Sequence, residues 1–185
     1  GGSRVGFDPA KLRAVVRTDR PDDPYEFREP TDADRDIAAH LAEFLAAERA
    51  RDPVLGEALT LQFGVGSVGN ALMGAVADGP LAEEGVRYFG EVVQDGLLDL
   101  IDAGVIEGAS ATSLALSREG QARLFANLDR YADAVVLRPS DVSNAPALVD
   151  RFGVVAVNSA LSVDLYGHAN ATHLGGTRIV GGVGG

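Results

Sequence analysis

The chain has 185 residues, enough for one domain of ordinary size, and 46% of them are hydrophobic, enough to fill a core. Its net charge of −11 repels a phosphate backbone, which argues against nucleic acid as a partner, and no apolar run is long enough to span a bilayer, which argues against a membrane. The absence of cysteine excludes disulfides, thiolate nucleophiles and Cys-based metal sites, and fits a reducing cytoplasmic setting.

Residues 1–30 are rich in Pro, Asp and Arg, lack a sustained period and read as an extended arm. Thr31 then opens a helix as its N-cap, with Asp32, Asp34 and Asp36 near the positive end of the helix dipole. Ile37, Leu41, Phe44 and Leu45 fall on one face of it, and it should stop before Pro53. Residues 59–63 read as a strand, 64–69 as a glycine loop and 70–77 as a helix. A second strand at 85–89 leads into Glu91, followed by a short helix at 94–103 that Gly104 ends. Further strands are expected at 112–116, 134–137 and 154–158, with helices at 118–128 and 145–152 between them. Two last strands, 162–166 and 177–180, flank a polar loop. Strands alternating with short helices predict an α/β fold with a mostly parallel open sheet and flanking helices. In such sheets ligands sit beyond the carboxyl ends of the strands. The segments 64–69, 90–96, 138–146 and 158–162 each follow a predicted strand, so they point to one shared crevice.

Four constellations could carry chemistry. Gly64-x-Gly66-x-x-Gly69 is either a tight strand-to-helix turn or a phosphate-binding fingerprint, in which case the chain is a nucleotide-binding module. Glu91, between Gly90 and the apolar Val92 and Val93, is either a helix-capping acid or a poorly solvated carboxylate able to attack an activated acyl group. Asn144 is either the N-cap of the following helix or an amide that polarises a carbonyl. His40, His168 and His173 do not converge as a metal site in sequence, so no metal is expected.

Taken in order and spacing, several stretches resemble the acetyl-CoA hydrolase/transferase family, and look closest to its succinyl-CoA:acetate and propionyl-CoA:succinate CoA-transferase branch. They are Leu61-Gln62-Phe63-Gly64-Val65-Gly66-Ser67-Val68-Gly69-Asn70-Ala71, the run from Glu91-Val92-Val93-Gln94-Asp95-Gly96 to Gly104, Ala109-Ser110-Ala111-Thr112, Arg138-Pro139 through Asn144, and Asp164-Leu165-Tyr166-Gly167 through His173. The Glu-x-x-Gln-Asp-Gly block is the specific element. Ala171 departs from the family, where Ser often precedes Thr-His.

The resemblance implies a CoA-transferase (NagB/RpiA-like) catalytic domain at 31–185, corresponding to the carboxy-terminal half of the family, with the amino-terminal half absent and the isolated half's site therefore incomplete. It implies an enzyme that moves CoA between an acyl-CoA thioester and a small carboxylate, such as succinyl-CoA and acetate, through a glutamyl-CoA thioester on Glu91. The alternative within the family is an acetyl-CoA hydrolase. By the same resemblance the amides of Val65 and Gly66, the Asn144 side chain and the Gly185 backbone surround the acyl oxygen. Gly64, Val65, Gly66, Ser67, Val68 and the turn around Leu161 touch CoA, which is substrate and not a permanently bound cofactor. A homodimer of full-length chains is the implied assembly.

Overall fold

A computed structural model describes residues 6–57 and 59–182. Residues 6–30 form no regular element beyond a 3-10 turn at Pro9–Lys11. They run along the surface, held where the Tyr25 amide donates to the Leu116 carbonyl at 2.8 Å and where Arg28 reaches Asp34 and Ser67.

The regular elements follow in the order α1 (Asp32–Arg51), α2 (Pro53–Glu57), β1 (Thr60–Phe63), α3 (Ser67–Asp78), α4 (Leu81–Glu84), β2 (Val86–Phe89), β3 (Val92–Val93), α5 (Asp95–Asp102), β4 (Ile106–Ala111), β5 (Ser113–Leu114), α6 (Arg118–Ala126), α7 (Leu128–Ala134), β6 (Val135–Leu137), α8 (Ser140–Ser143), α9 (Pro146–Arg151) and β7 (Val154–Val157). Two small antiparallel ladders close the described chain: β8 (Ser162–Val163) with β9 (Ala169–Asn170), and β10 (His173–Leu174) with β11 (Arg178–Ile179).

Five strands form one sheet in the order β6-β4-β2-β1-β7, all parallel. The α/β architecture expected from the sequence is therefore present, with local differences; the strands expected at 162–166 and 177–180 shrink to β8 and β11 and stand outside the main sheet. β4, next to the centre of the sheet, lies where no strand was expected. Its sequence, Ile-Glu-Gly-Ala-Ser-Ala, has little intrinsic strand preference, and its place between β2 and β6 makes it a strand. The strand expected at 112–116 shrinks to β5, which pairs only with β3 outside the main sheet. The helix expected to end at 128 breaks at Asn127 and resumes as α7.

Helix α1 starts and stops where its sequence says. The Thr31 hydroxyl accepts the Asp34 amide while the Asp34 carboxylate accepts the Thr31 amide, a closed capping box. Its inner face is rotated from the expected one. Asp34, Ala38, Ala42, Leu45 and Arg49 are buried, whereas Ile37 and Phe44 are 47% and 59% exposed. The cause is steric: α1 packs along α3, and the two alanines permit an approach that Ile and Phe would block. Buried Arg49 is compensated by donating to the Gly85 carbonyl at 2.7 Å and by pairing with Glu84.

One face of the sheet carries the core. Leu61 and Phe63 of β1, Val86 and Tyr88 of β2, and Ile106, Ala109 and Ala111 of β4 pack against apolar residues of α1, α3, α5, α6 and α7. The opposite face is largely open. Thr60, Arg87, Phe89, Ser110 and Val136 line a hollow of about 670 Å³ there, with Phe152 leaning on Phe89 at a ring distance of 5.2 Å. Among the described residues the last buried apolar side chain is Tyr131; beyond it only Ser143 is buried. All-parallel sheets are ordinarily covered on both faces, so this one presents an uncovered layer.

The rotated face of α1 can be checked by chemical denaturation of the chain. Phe44→Ser should change stability by no more than about 0.5 kcal/mol, while Ala38→Leu should destabilise it by about 1–3 kcal/mol through overpacking against α3.

Candidate active site

Because the five strands run the same way, every strand-to-helix turn leaves the sheet at one edge. β1 is followed on one side by β2 and flanked on the other by β7, the last strand of this sheet, so the turns after β1 and β7 meet at the point where strand order reverses. That is the position at which open α/β sheets bind ligands. A cavity of about 410 Å³ lies there, lined by Gly64, Val65, Gly66, Val68 and Gly69 from one turn and by Asn158 and Ser159 from the other, with Ala171 and Gly182 also on its wall.

The glycine turn has a specific construction. The Gly64 amide continues the ladder by donating to the Val157 carbonyl at 2.9 Å. Gly66 has φ +146°, a conformation that L side chains rarely adopt, and it caps α3 through the backbone alone. At Gly69 a Cβ would sit 2.4 Å from the Gly64 carbonyl oxygen, so that carbonyl folds inward only because position 69 lacks a side chain. Among the described residues the Val65 and Gly66 amides donate to no protein acceptor.

Glu91 stands at the same edge, two residues beyond β2. Its carbonyl accepts the Thr112 and Ser113 amides at 2.7 and 2.9 Å, which fixes its backbone between the main sheet and the β3–β5 ladder. Asn144 arrives from the other direction. The Arg138 amide donates to the Ala111 carbonyl at 2.7 Å, α8 makes one turn, and Asn144 closes it by donating its backbone amide to the Ser140 carbonyl. The Asn144 side-chain amide then donates to Glu91 Oε1 at 2.5 Å, joining residues 53 positions apart. Of its two sequence readings, the N-cap is not realised: α9 is capped at Ala145 without a side-chain bond. Glu91 is half-buried, its carboxylate held by an amide donor that cannot neutralise it.

The residues after Glu91 tie it to its surroundings. The Tyr88 hydroxyl donates to the Val92 carbonyl at 2.8 Å, bridging the turn that carries Glu91. Burial pushes its pKa up to about 12, with the Glu91 charge adding a smaller push in the same direction, so the hydroxyl stays a donor. Gln94 is 1% exposed, and its Nε2 donates to the Gly64 carbonyl at 3.3 Å. Its Oε1 is buried and finds no donor among the described residues, a cost of about 1–3 kcal/mol. Asp95 accepts the Ser117 amide at 3.0 Å and the Ser117 hydroxyl, which fixes the start of α6. Gly96 lies against Met73 of α3. Each residue of the Gln-Asp-Gly run thus grips a different neighbour. The sequence marked this run as specific without showing Gln94 as the residue that reaches the glycine turn. The available signal was its position among the buried Val93, Leu97 and Leu98.

The remaining candidates are spread more widely. Ser67 opens α3 with its hydroxyl accepting Arg28 of the arm at 2.7 Å, and it is absent from the cavity wall. Leu161, 47% exposed, begins the β8–β9 hairpin and is likewise absent from that wall. Gly185 lies outside the described residues. His168 is paired with Asp164 at 2.8 Å, and this bond, together with backbone amides, holds the Asp164 carboxyl below its ordinary range. His173 meets the Thr172 hydroxyl at 2.6 Å.

A carboxylate and an amide side chain in mutual contact thus stand at the same strand edge as the glycine turn, although neither Glu91 nor Asn144 lines the 410 Å³ cavity itself. Residues 120–185 match the acetyl-CoA hydrolase/transferase C-terminal domain. All 185 residues align with the propanoyl-CoA:succinate CoA transferase of Escherichia coli at 38% identity, covering 37% of that protein. They align equally with the acetyl-CoA hydrolases of Neurospora crassa and Saccharomyces cerevisiae, each at 36% identity over 35% of the relative. The fold is also that of RipA from Yersinia pestis, with a TM-score of 0.64 and 24% identity, covering 84% of this chain and 33% of that one. The chain is thus similar to the acetyl-CoA hydrolase/transferase family, matching its C-terminal domain over residues 120–185, and it spans little more than a third of the length of these curated relatives.

The inward Gly64 carbonyl makes a direct test of the turn. Gly69→Ala should destabilise the chain by about 1–3 kcal/mol, since the new methyl and the carbonyl oxygen claim the same space. Gly74→Ala, where a Cβ would meet nothing within 4 Å, should be neutral or stabilising in the same denaturation experiment.

Proposed function

We propose that this chain carries the catalytic carboxylate of a CoA-transferase that exchanges CoA between an acyl-CoA thioester and a small carboxylate, with Glu91 as nucleophile and Asn144 as its partner. The observation that carries the reading is the Asn144 side-chain amide on Glu91 Oε1. Both residues were candidates in the sequence, and the fold brings them into contact across 53 positions.

The chemistry balances without a redox group or metal. A Glu91 oxygen attacks the thioester carbonyl carbon of the donor, the carbon–sulfur bond breaks and CoA leaves as the thiolate, giving an acyl-glutamyl anhydride. The thiolate attacks the glutamyl carbonyl carbon and expels the donor carboxylate, leaving a glutamyl-CoA thioester. An acceptor carboxylate attacks that thioester, and the same steps run in reverse. Dividing one exchange into covalent steps lowers each barrier and predicts ping-pong kinetics. Each step places negative charge on an oxygen. Donors for that charge are the Asn144 side chain and the unengaged Val65 and Gly66 amides beside the cavity, with Gly185 a further candidate. The turn 64–68, including Ser67, and the turn at Leu161 are the proposed CoA contacts. Nothing in this scheme needs a permanently bound cofactor.

The crevice is open on its outer side, the second sheet face is uncovered, and the relatives are nearly three times as long. These three facts support a site completed by polypeptide beyond this chain, the other half of the family fold; that the full-length chains form a homodimer in the cytoplasm is proposed from the resemblance alone. The hydrolase reading replaces the acceptor carboxylate with water; it is favoured by the fungal relatives' names and separated by whether CoA release depends on acetate.

In the full-length parent, Glu91→Ala should abolish CoA exchange between succinyl-CoA and acetate. Borohydride should trap a reduced glutamyl adduct at position 91 in the parent and nowhere else. Loss of exchange without any adduct at Glu91 would refute the covalent scheme. Asn144→Ala should lower kcat by roughly 10²–10³-fold, the usual cost of one oxyanion donor.

A further inference from the structure

Gln94 is buried, polar and half-satisfied, and the reaction scheme above leaves it unused. We propose that Gln94 is a positioning residue that locks the Gly64–Val65 peptide in the orientation presenting the Val65 N–H to the acyl oxygen. The inference rests on the reading of Glu91 and the glycine turn as an acyl-transfer site.

The Gly64–Val65 peptide is trans and planar, so its carbonyl and its N–H point in opposite directions. The Gly64 carbonyl is directed inward, against the Cα of Gly69 and into the Nε2 of Gln94 at 3.3 Å. The Val65 N–H on the same plane is therefore turned away from Gln94, and Val65 lines the 410 Å³ cavity. Rotating this peptide by a half-turn would point a carbonyl oxygen at the place where the acyl oxygen gains negative charge, and would replace attraction with repulsion. A glycine at position 64 opposes such a rotation weakly, because it has the widest choice of backbone angles. Gln94 supplies the missing restraint from the N-cap position of α5, three residues after Glu91 and next to Asp95, which is itself fixed on Ser117. Because the acceptor is a carbonyl, the amide of Gln94 must face it with its nitrogen. This leaves Oε1 buried without a donor. A side chain selected for packing alone would carry no such burden, and an apolar residue of the same length would fill the space without it.

The test uses the full-length parent and the near-isosteric Gln94→Met, with Gln94→Glu as a second variant that keeps the size and loses the donor. Three quantities are read: kcat, KM for the acyl-CoA, and melting temperature, with kcat normalised to the fraction of Glu91 trapped by borohydride. The expected result for Gln94→Met is a kcat about 100-fold lower, a KM within threefold of the parent and a melting temperature equal or higher, since the unpartnered oxygen is gone. Normalised kcat within threefold of the parent in either variant overturns the inference while leaving Glu91 as nucleophile intact. A parallel loss of melting temperature and activity in both variants also overturns it, in favour of a purely structural role. A parent that forms no adduct at Glu91 overturns the underlying reading, and the inference with it.

Discussion

The parallel alignment of five strands is the constraint on which the rest depends. A strand contributes its turn to a common edge only if it runs the same way as its neighbours, and parallel neighbours must be joined by crossovers that return the chain to the start of the sheet. Here α3, α5, α6 with α7, and α8 with α9 serve as those crossovers. In consequence the glycine turn after β1, Glu91 after β2, the 112–113 segment after β4, Asn144 after β6 and Asn158 after β7 all emerge at one rim. No two of these lie within a single local motif, and their proximity follows from topology alone.

At that rim the chain accepts several local costs. Gly66 lies in a backbone region that other residues avoid, and Gln94 and Thr112 bury polar atoms without partners among the described residues. Well-folded sequences concentrate such violations at functional places and compensate for them elsewhere. The compensation is visible in the apolar packing of Leu61, Phe63, Leu72, Met73, Leu97 and Leu98 on the elements that carry the same turns, all of them almost fully buried.

The opposite half is constructed differently. From β6 onward the described chain has apolar residues but no apolar core: Phe152, Leu161, Val163, Leu165, Tyr166 and Ile179 are all exposed. Two-residue ladders such as β8–β9 and β10–β11 bury too little to hold themselves in water. The strands β6 and β7 belong to the sheet, yet their outward faces meet nothing comparable to α1 and α3. The rim that carries Glu91 and the glycine turn therefore lies at the boundary between a packed layer and an unpacked one.

Much of this was legible in the sequence. Local signals sufficed for α1, whose Thr31 cap and Pro53 stop are both chemical punctuation, and for the β1–glycine turn–α3 unit, whose glycines have no other economical use. For Glu91 and Asn144 local signals left a cap and a chemical role side by side, and it was the resemblance to a known family that proposed the chemical one. Tertiary structure alone decided the rest. It chose Ala38 and Ala42 over Ile37 and Phe44 as the buried stripe, because periodicity reports how apolar a face is and not how closely the neighbouring helix must lie. It made a strand of Ile106–Ala111, whose residues have little strand preference, because vacant ladder positions on β2 and β6 outweigh propensity. It resolved Asn144 as the partner of Glu91 and Gln94 as the partner of Gly64, since a side chain's hydrogen-bond capacity is written in its chemistry while the identity of its partner depends on which distant segments the sheet brings together.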